Sequence, residues 1–158
     1  MSAAKDGEAR VRDLEAIQEI MNLEADYCYA ADAQDPDAYA RVFAQDGVLD
    51  VGPFGGRIAG KEAIREFCRT AFPATVGFMM HCLHNPRITV SGDKAKARFY
   101  WQAAVTWKAT NEAVWQAGSY DDEFVRTNEG WKIKEKGISF FYATPYDKGW
   151  VKQQFLGT

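Results

Sequence analysis

Lys94-Ala95-Lys96-Ala97-Arg98-Phe99-Tyr100-Trp101-Gln102-Ala103-Ala104-Val105-Thr106-Trp107-Lys108 alternates in character along its length. Ala95, Ala97, Phe99, Trp101, Ala103, Val105 and Trp107 fall on one side of an extended chain, and Lys94, Lys96, Arg98, Tyr100, Gln102, Thr106 and Lys108 on the other. Successive side chains of a strand point to opposite faces, so this is a long strand with one apolar face and one solvated face. Similar patterns lie on both sides of it. Residues 75–90 read as a strand interrupted near Pro86. Thr110-Asn111 is a turn, 113–126 the next long strand, Asn128-Glu129-Gly130 a hairpin turn, and 131–142 the last strand. In this last strand the inward phase changes around Gly137, which predicts a bulge that bends the sheet. Lys132, Lys134 and Lys136 read as its solvated face. Asp121, Asp122 and Glu123 read as surface charges rather than a metal site, since no histidine ligand can be assigned beside them.

Upstream the pattern is helical. Leu14, Ile17, Met21, Ala25, Cys28 and Asp32 step by three or four, one stripe of a long amphipathic helix. Asp35-Pro36 ends it and starts a short helix over 37–43, because the residue before proline avoids helical geometry. Gln45-Asp46-Gly47 is a turn, 48–51 a short strand and Gly52-Pro53-Phe54-Gly55-Gly56 a loop. Gly60-Lys61-Glu62 opens a third helix, with Ile64, Phe67 and Cys68 inward, broken by Pro73. Helices followed by long antiparallel strands are an α+β pattern. A strongly bent antiparallel sheet wrapped around the long N-terminal helix would enclose a cone-shaped pocket.

The chain has 158 residues, read as a single domain over 1–158 with a core of about 12–150. A net charge of -3 argues against nucleic acid or an anionic membrane as partner. Cys28, Cys68 and Cys82 are an odd, widely spaced set that supports neither a disulfide framework nor a zinc site. The start, MSAAKDGEAR, is too polar for a signal peptide, and no apolar run reaches membrane-spanning length. A reducing cytoplasm is the expected location. Five tryptophans, seven tyrosines and ten phenylalanines suffice to line an apolar cavity as well as fill a core.

Both histidines, His81 and His84, lie in Phe78-Met79-Met80-His81-Cys82-Leu83-His84-Asn85. Alternation places His81 and Asn85 on one face and His84 on the other. His81 reads either as a general base lining a pocket or as a core histidine satisfied by a backbone carbonyl. Asp32, at the end of the helical stripe, is either a turn aspartate or a buried carboxylate with a partner. Phe99, Trp101, Trp115 and Phe140 divide between core and pocket lining.

Several short pieces, in order, resemble the SnoaL-like proteins of the nuclear transport factor 2-like superfamily: Tyr27-Cys28-Tyr29-Ala30-Ala31-Asp32-Ala33-Gln34-Asp35, Val42-Phe43-Ala44-Gln45-Asp46-Gly47, Gly60-Lys61-Glu62-Ala63-Ile64, His81-Cys82-Leu83-His84-Asn85-Pro86, Gly118-Ser119-Tyr120-Asp121 and Gly130-Trp131-Lys132-Ile133. The resemblance implies a cone-shaped α+β barrel. It implies chemistry like that of cofactor-independent lyases such as hexachlorocyclohexane dehydrochlorinase, scytalone dehydratase and bile-acid 7α-dehydratase. Asp32 and His81 match the aspartate–histidine pair of the dehydrochlorinase, Tyr27 a helix tyrosine of the bile-acid enzyme where the dehydrochlorinase has a lysine, and Arg126 lies nearest to the dehydrochlorinase's catalytic arginine. The later strand aspartate of the bile-acid enzyme is missing here. The implied activity is an elimination on a small hydrophobic alicyclic, aromatic or steroid-like molecule, with no cofactor and no metal. Asn85, Arg126, Trp101, Phe99, Trp115 and Phe140 would contact the substrate. Alternatives are an isomerase, a polyketide cyclase or a non-catalytic binding protein. The resemblance also implies a homo-oligomer, a trimer before a dimer. On an ideal helix Tyr27 and Asp32 diverge by about 140°, so both serve one cavity only if the sheet wraps widely.

Overall fold

The computed structural model describes residues 7–157. The first six residues of the polar start read against a signal peptide lie outside them. Helix α1 (Gly7–Asp32) is followed by α2 (Pro36–Arg41), β1 (Phe43–Asp50), β2 (Arg57–Ala59), α3 (Lys61–Thr75), β3 (Val76–Ser91), β4 (Lys94–Trp107), β5 (Glu112–Thr127), β6 (Gly130–Pro145) and a short α4 (Gly149–Lys152). The strands form one curved, unclosed sheet in the order β2-β1-β6-β5-β4-β3. Helix α1 packs against β3 and β6, and α3 against α2 and β1. No helix among the described residues is long and apolar enough to cross a membrane.

Local chemistry sets the boundaries. Asp35 Oδ1 accepts from the backbone N–H of Asp37 and of Ala38, both at 3.0 Å, and so caps α2. Pro36 occupies the first turn, where its missing N–H is harmless. Pro73 does not break α3. It sits in the last turn, and the helix runs on to Thr75. Between the expected loop at 52–56 and α3, residues to which the pattern assigned no element form β2, which pairs with β1. The sheet is also not wholly antiparallel: β1 runs parallel to β6, because the chain crosses from one sheet edge through α3 before entering the β3–β6 meander.

The stripe expected on α1 is only partly its buried face. Cys28 is buried as expected, but Leu14 is 65% exposed and Met21 39%, and Ala16, Ile20, Glu24, Tyr27, Ala30 and Ala31 are buried instead. A carboxylate in the middle of the buried face hid its phase. That carboxylate, Glu24, pairs with Lys136, and Lys136 also pairs with Asp122. Lys136 and Asp122 are therefore core residues and not surface charges. The bulge in β6 accounts for this. Phe124 pairs with Ile133 but Glu123 with Glu135, so Lys134 is an extra residue, and inward phase passes from Ile133 to Lys136 three residues before Gly137 could shift it. A second extra residue, Phe141, follows where Gly118 pairs with Phe140 and Ala117 with Tyr142. A Cβ on Gly118 would run into the Ser139 carbonyl oxygen and lie 2.9 Å from Trp101 Cε2. The close approach that seats Trp101 on the sheet thus requires glycine there.

The end of α1 also covers β3, the edge strand of the sheet. Gln34 Nε2 donates to the carbonyls of Val76 at 3.4 Å and Gly77 at 3.0 Å. Asp32 Oδ2 accepts the backbone N–H of His81 at 3.0 Å.

Candidate active site

Asp32 closes α1, where a negative charge meets the unfavourable end of the helix dipole. Its compensation is His81. Besides the backbone bond, Asp32 Oδ1 lies 2.7 Å from His81 Nδ1. An ionised carboxylate only accepts, so Nδ1 carries the proton and neutral His81 keeps the free lone pair on Nε2. The partner of His81 is thus a carboxylate and not a backbone carbonyl. Its side chain is 12% exposed and lines a cavity of about 160 Å³.

The cavity is built from every layer of the fold. Tyr27 and Ala31 come from α1, Tyr39 from α2, Phe67 and Phe72 from α3, Met79 and His81 from β3, Trp101 and Trp107 from β4, Gln116 and Tyr120 from β5, and Ile138 and Phe140 from β6. Apolar walls with a few polar groups are the usual make-up of a small-molecule site. The divergence of Tyr27 and Asp32 is resolved simply. Tyr27 faces the cavity directly, and Asp32 lies behind His81 and acts on the cavity through it.

The same cavity holds a cluster of phenols. Tyr39 O–H donates to the Tyr27 oxygen at 3.1 Å, and the Tyr27 and Tyr120 rings meet edge to face at 5.9 Å. Burial, assisted by the neighbouring Tyr39 and Tyr120, pushes the Tyr27 phenol well above its ordinary pKa. Burial does the same to Tyr120. Both phenols therefore stay protonated, able to donate a hydrogen bond. Trp101 stacks on Tyr120 with centroids 5.5 Å apart, and Phe140 meets Trp101 edge-on at 4.9 Å.

Of the residues singled out in the sequence, His81, Asp32, Tyr27, Trp101 and Phe140 come together. Four do not. Asn85 sits in a bulge between the pairs His84–Tyr100 and Arg87–Arg98, with φ of 52°, and is exposed; the extra residue breaks the alternation that put it beside His81. Arg126 lies over the Trp131 ring at 4.9 Å and near Glu19, away from the cavity lining. Phe99 is buried core and does not reach the cavity. Trp115 is on the outer face, stacked on Tyr146 at 5.8 Å. His84 is exposed on the strand face opposite His81. Tyr39, Gln116 and Tyr120 are cavity residues that sequence reasoning missed. The inward phase of β5, shared with Phe124, was the signal for Tyr120.

The model of the SnoaL-like domain family matches residues 12–136. An uncharacterized Mycobacterium tuberculosis protein, Rv2910c, is 32% identical over 119 residues, 73% of this chain and 78% of that protein. A solved structure from Novosphingobium aromaticivorans, provisionally assigned as an aromatic ring hydroxylase, is 32% identical with a TM-score of 0.76, covering 84% of this chain and 94% of its own. The structure of a type 2 hexachlorocyclohexane dehydrochlorinase, LinA, superimposes with a TM-score of 0.78 at 20% identity, covering 89% and 93%. A second N. aromaticivorans protein, provisionally assigned as a scytalone dehydratase, gives 0.76 at 22% identity, covering 85% and 89%. The last two likenesses establish the fold alone. With the family match over most of its length and this curved sheet packed on α1, the chain belongs to the SnoaL-like family and has the nuclear transport factor 2-like fold.

Proposed function

We propose that the protein is a cofactor-independent lyase that eliminates water or halide from a small hydrophobic ring compound. The observation that carries this reading is the Asp32–His81 pair, 2.7 Å apart, at the wall of an apolar cavity. His81 Nε2 takes a proton from the carbon beside the one bearing the leaving group. The C–H electron pair becomes the new C=C bond, and the leaving group departs with the electrons of its own bond. Asp32 stabilises the imidazolium and fixes its tautomer. When the leaving group is hydroxide, the imidazolium proton goes to it and water is released; with halide the proton passes to solvent. Tyr27 donates a hydrogen bond to a substrate oxygen. Returning the proton to another carbon would make the same groups an isomerase. The cavity volume, close to the roughly 150 Å³ that holds a benzene ring, favours a one-ring alicyclic or aromatic substrate over a steroid.

The test is a panel of hydroxylated and halogenated alicyclic ketones and aromatics, incubated without added cofactor and followed by the absorbance of the conjugated product. Turnover of at least one member is expected. Asp32→Asn is expected to lower it by up to about 10⁴-fold, because an amide can donate to Nδ1 and trap the wrong tautomer. Binding without turnover across the panel would leave only a binding protein.

We further propose a homo-oligomer, most simply a trimer, in a cytoplasmic setting that the three free thiols Cys28, Cys68 and Cys82 support. Phe78, Met80, Tyr100, Trp115, Phe141, Tyr146 and Trp150 are exposed on or beside the outer sheet face, with Tyr100 against Phe141 and Trp115 against Tyr146 and Trp150, and contiguous exposed apolar surface of this kind marks interaction sites. Light scattering is expected to give a multiple of the 17.8 kDa chain mass. Monomer mass across a wide concentration range would refute it.

A further inference from the structure

Behind the phenol end of the cavity lies buried charge. Lys136 Nζ donates to Glu24 Oε2 at 2.7 Å and to Asp122 Oδ2 at 2.8 Å, and none of these side chains is exposed. The same ammonium stands 4.3 Å from the centre of the Tyr27 ring and 3.8 Å from that of Tyr120. It thus has carboxyl groups on one side and, on the other, the faces of two rings that line the cavity.

Counted as fully ionised, the three groups would bury a net negative charge, which is strongly unfavourable away from water. Two oxygens indicate that the count is short by one proton. Glu24 Oε1 and Asp122 Oδ1 are both buried and both lack a hydrogen-bond partner. One proton held between them satisfies both acids at once. Burial raises the Asp122 carboxyl well above its ordinary range; Lys136 opposes this and Glu24 adds to it. Burial works against the Lys136 charge, but Asp122 and Glu24 overcome it and hold its pKa above the ordinary value. With the shared proton the cluster is neutral overall and presents its positive end to the rings.

We infer that Glu24 and Asp122 share one proton and that Lys136, acting through Tyr27 and Tyr120, makes that end of the cavity a receptor for negatively charged oxygen, an enolate or a phenolate. This rests on the elimination reading and narrows it. The substrate carries a carbonyl whose oxygen takes up charge as His81 removes the adjacent proton. Either hydroxyl can donate in the Tyr27–Tyr39 bond, and with Tyr39 as donor the Tyr27 proton is free for that oxygen. The remaining titratable neighbour, the Cys28 thiol, is pushed up to about 12 by burial against the pull of Lys136 and stays neutral. Lys136 is a positioning residue here, and its effect is electrostatic.

The probe is 4-nitrophenol, whose absorbance separates phenol from phenolate. Its ionisation midpoint is measured free, bound to the wild type, and bound to variants whose circular dichroism is unchanged. Burial in an apolar cavity alone raises a phenol midpoint, so a bound midpoint below the free one is the expected result. Glu24→Gln/Lys136→Met/Asp122→Asn, which keeps the shape and removes the charge, is expected to raise the midpoint by about one pH unit, tenfold in the ionisation equilibrium. Asp122→Asn alone mimics the protonated acid and is expected to match the wild type; a midpoint that falls instead would mean that the proton was never there. In His81→Gln the lowered midpoint should persist, and its loss would assign the effect to the imidazole. Failure of the probe to bind, a raised wild-type midpoint, or no response to the triple replacement would each overturn the inference. None of these readouts requires turnover, so an inactive protein with a lowered midpoint would refute the lyase reading and leave the receptor standing.

Discussion

His81→Ala is expected to reduce turnover by about 10²–10⁴-fold, the usual contribution of a positioned general base, with the fold intact. The fold should survive because the backbone N–H of residue 81 still donates to Asp32 Oδ2, and only the side-chain bond to Oδ1 is lost. A lost hydrogen bond to a charged group costs about 1.5–3 kcal/mol, still within the stability of a domain. His84→Ala should leave turnover near wild type, since His84 is exposed on the other face of β3. Steady-state rates and thermal melts of the two variants, measured side by side, decide the matter. Full activity in His81→Ala would remove the base from the mechanism whatever the substrate proves to be.

The second large effect is on stability. Lys136→Ala is expected to destabilise the protein by about 3–5 kcal/mol, because it strands two buried carboxyl groups without their cation. Urea unfolding monitored by tryptophan fluorescence measures this directly. A loss below about 1 kcal/mol would mean that the cluster is solvated or loosely paired. The cluster also predicts a pH dependence of defined sign. Asp122 is raised in the folded protein, so the folded state holds a proton that the unfolded chain gives up once pH passes the ordinary carboxyl range. Its contribution is fully present below about pH 4 and declines as pH rises towards and through the raised folded value. The decline is about 1.4 kcal/mol per pH unit. Asp122→Asn should remove that slope. An unaltered slope in the variant would assign the pH dependence to other groups.

How much of this was legible in the sequence depended on whether polarity agreed with position. The alternation in β4 is unbroken, and all seven residues read as inward do face the core or cavity, so the strand and its phase were readable. The α1–β3 meeting was readable through Asp32 and His81 only from the family resemblance, which pairs them; by themselves the two residues read equally as a turn aspartate and a core histidine. Helix α1 was found, but its phase only in part, since Glu24 occupies a fully buried position while Leu14 and Met21 face out. Lys136 failed for the same reason, with a bulge one turn of the ladder earlier adding to it. Period-two counting cannot anticipate an extra residue, which is also why Asn85 seemed to belong with His81 and does not. The phenol cluster depends on residues from α1, α2 and β5 that only the folded sheet brings together.

One carboxylate has a duty unrelated to chemistry. Among the described residues β3 borders the sheet with no strand beyond it, and a bare strand margin invites docking of another chain's backbone. Asp32 occupies the outward amide of residue 81, and Gln34 occupies the carbonyls of Val76 and Gly77. Together they mask the margin with side chains that no foreign strand can easily displace. The residue that steers the imidazole is therefore also a guard against aggregation. Its loss would expose a sticky seam just where the protein does its work.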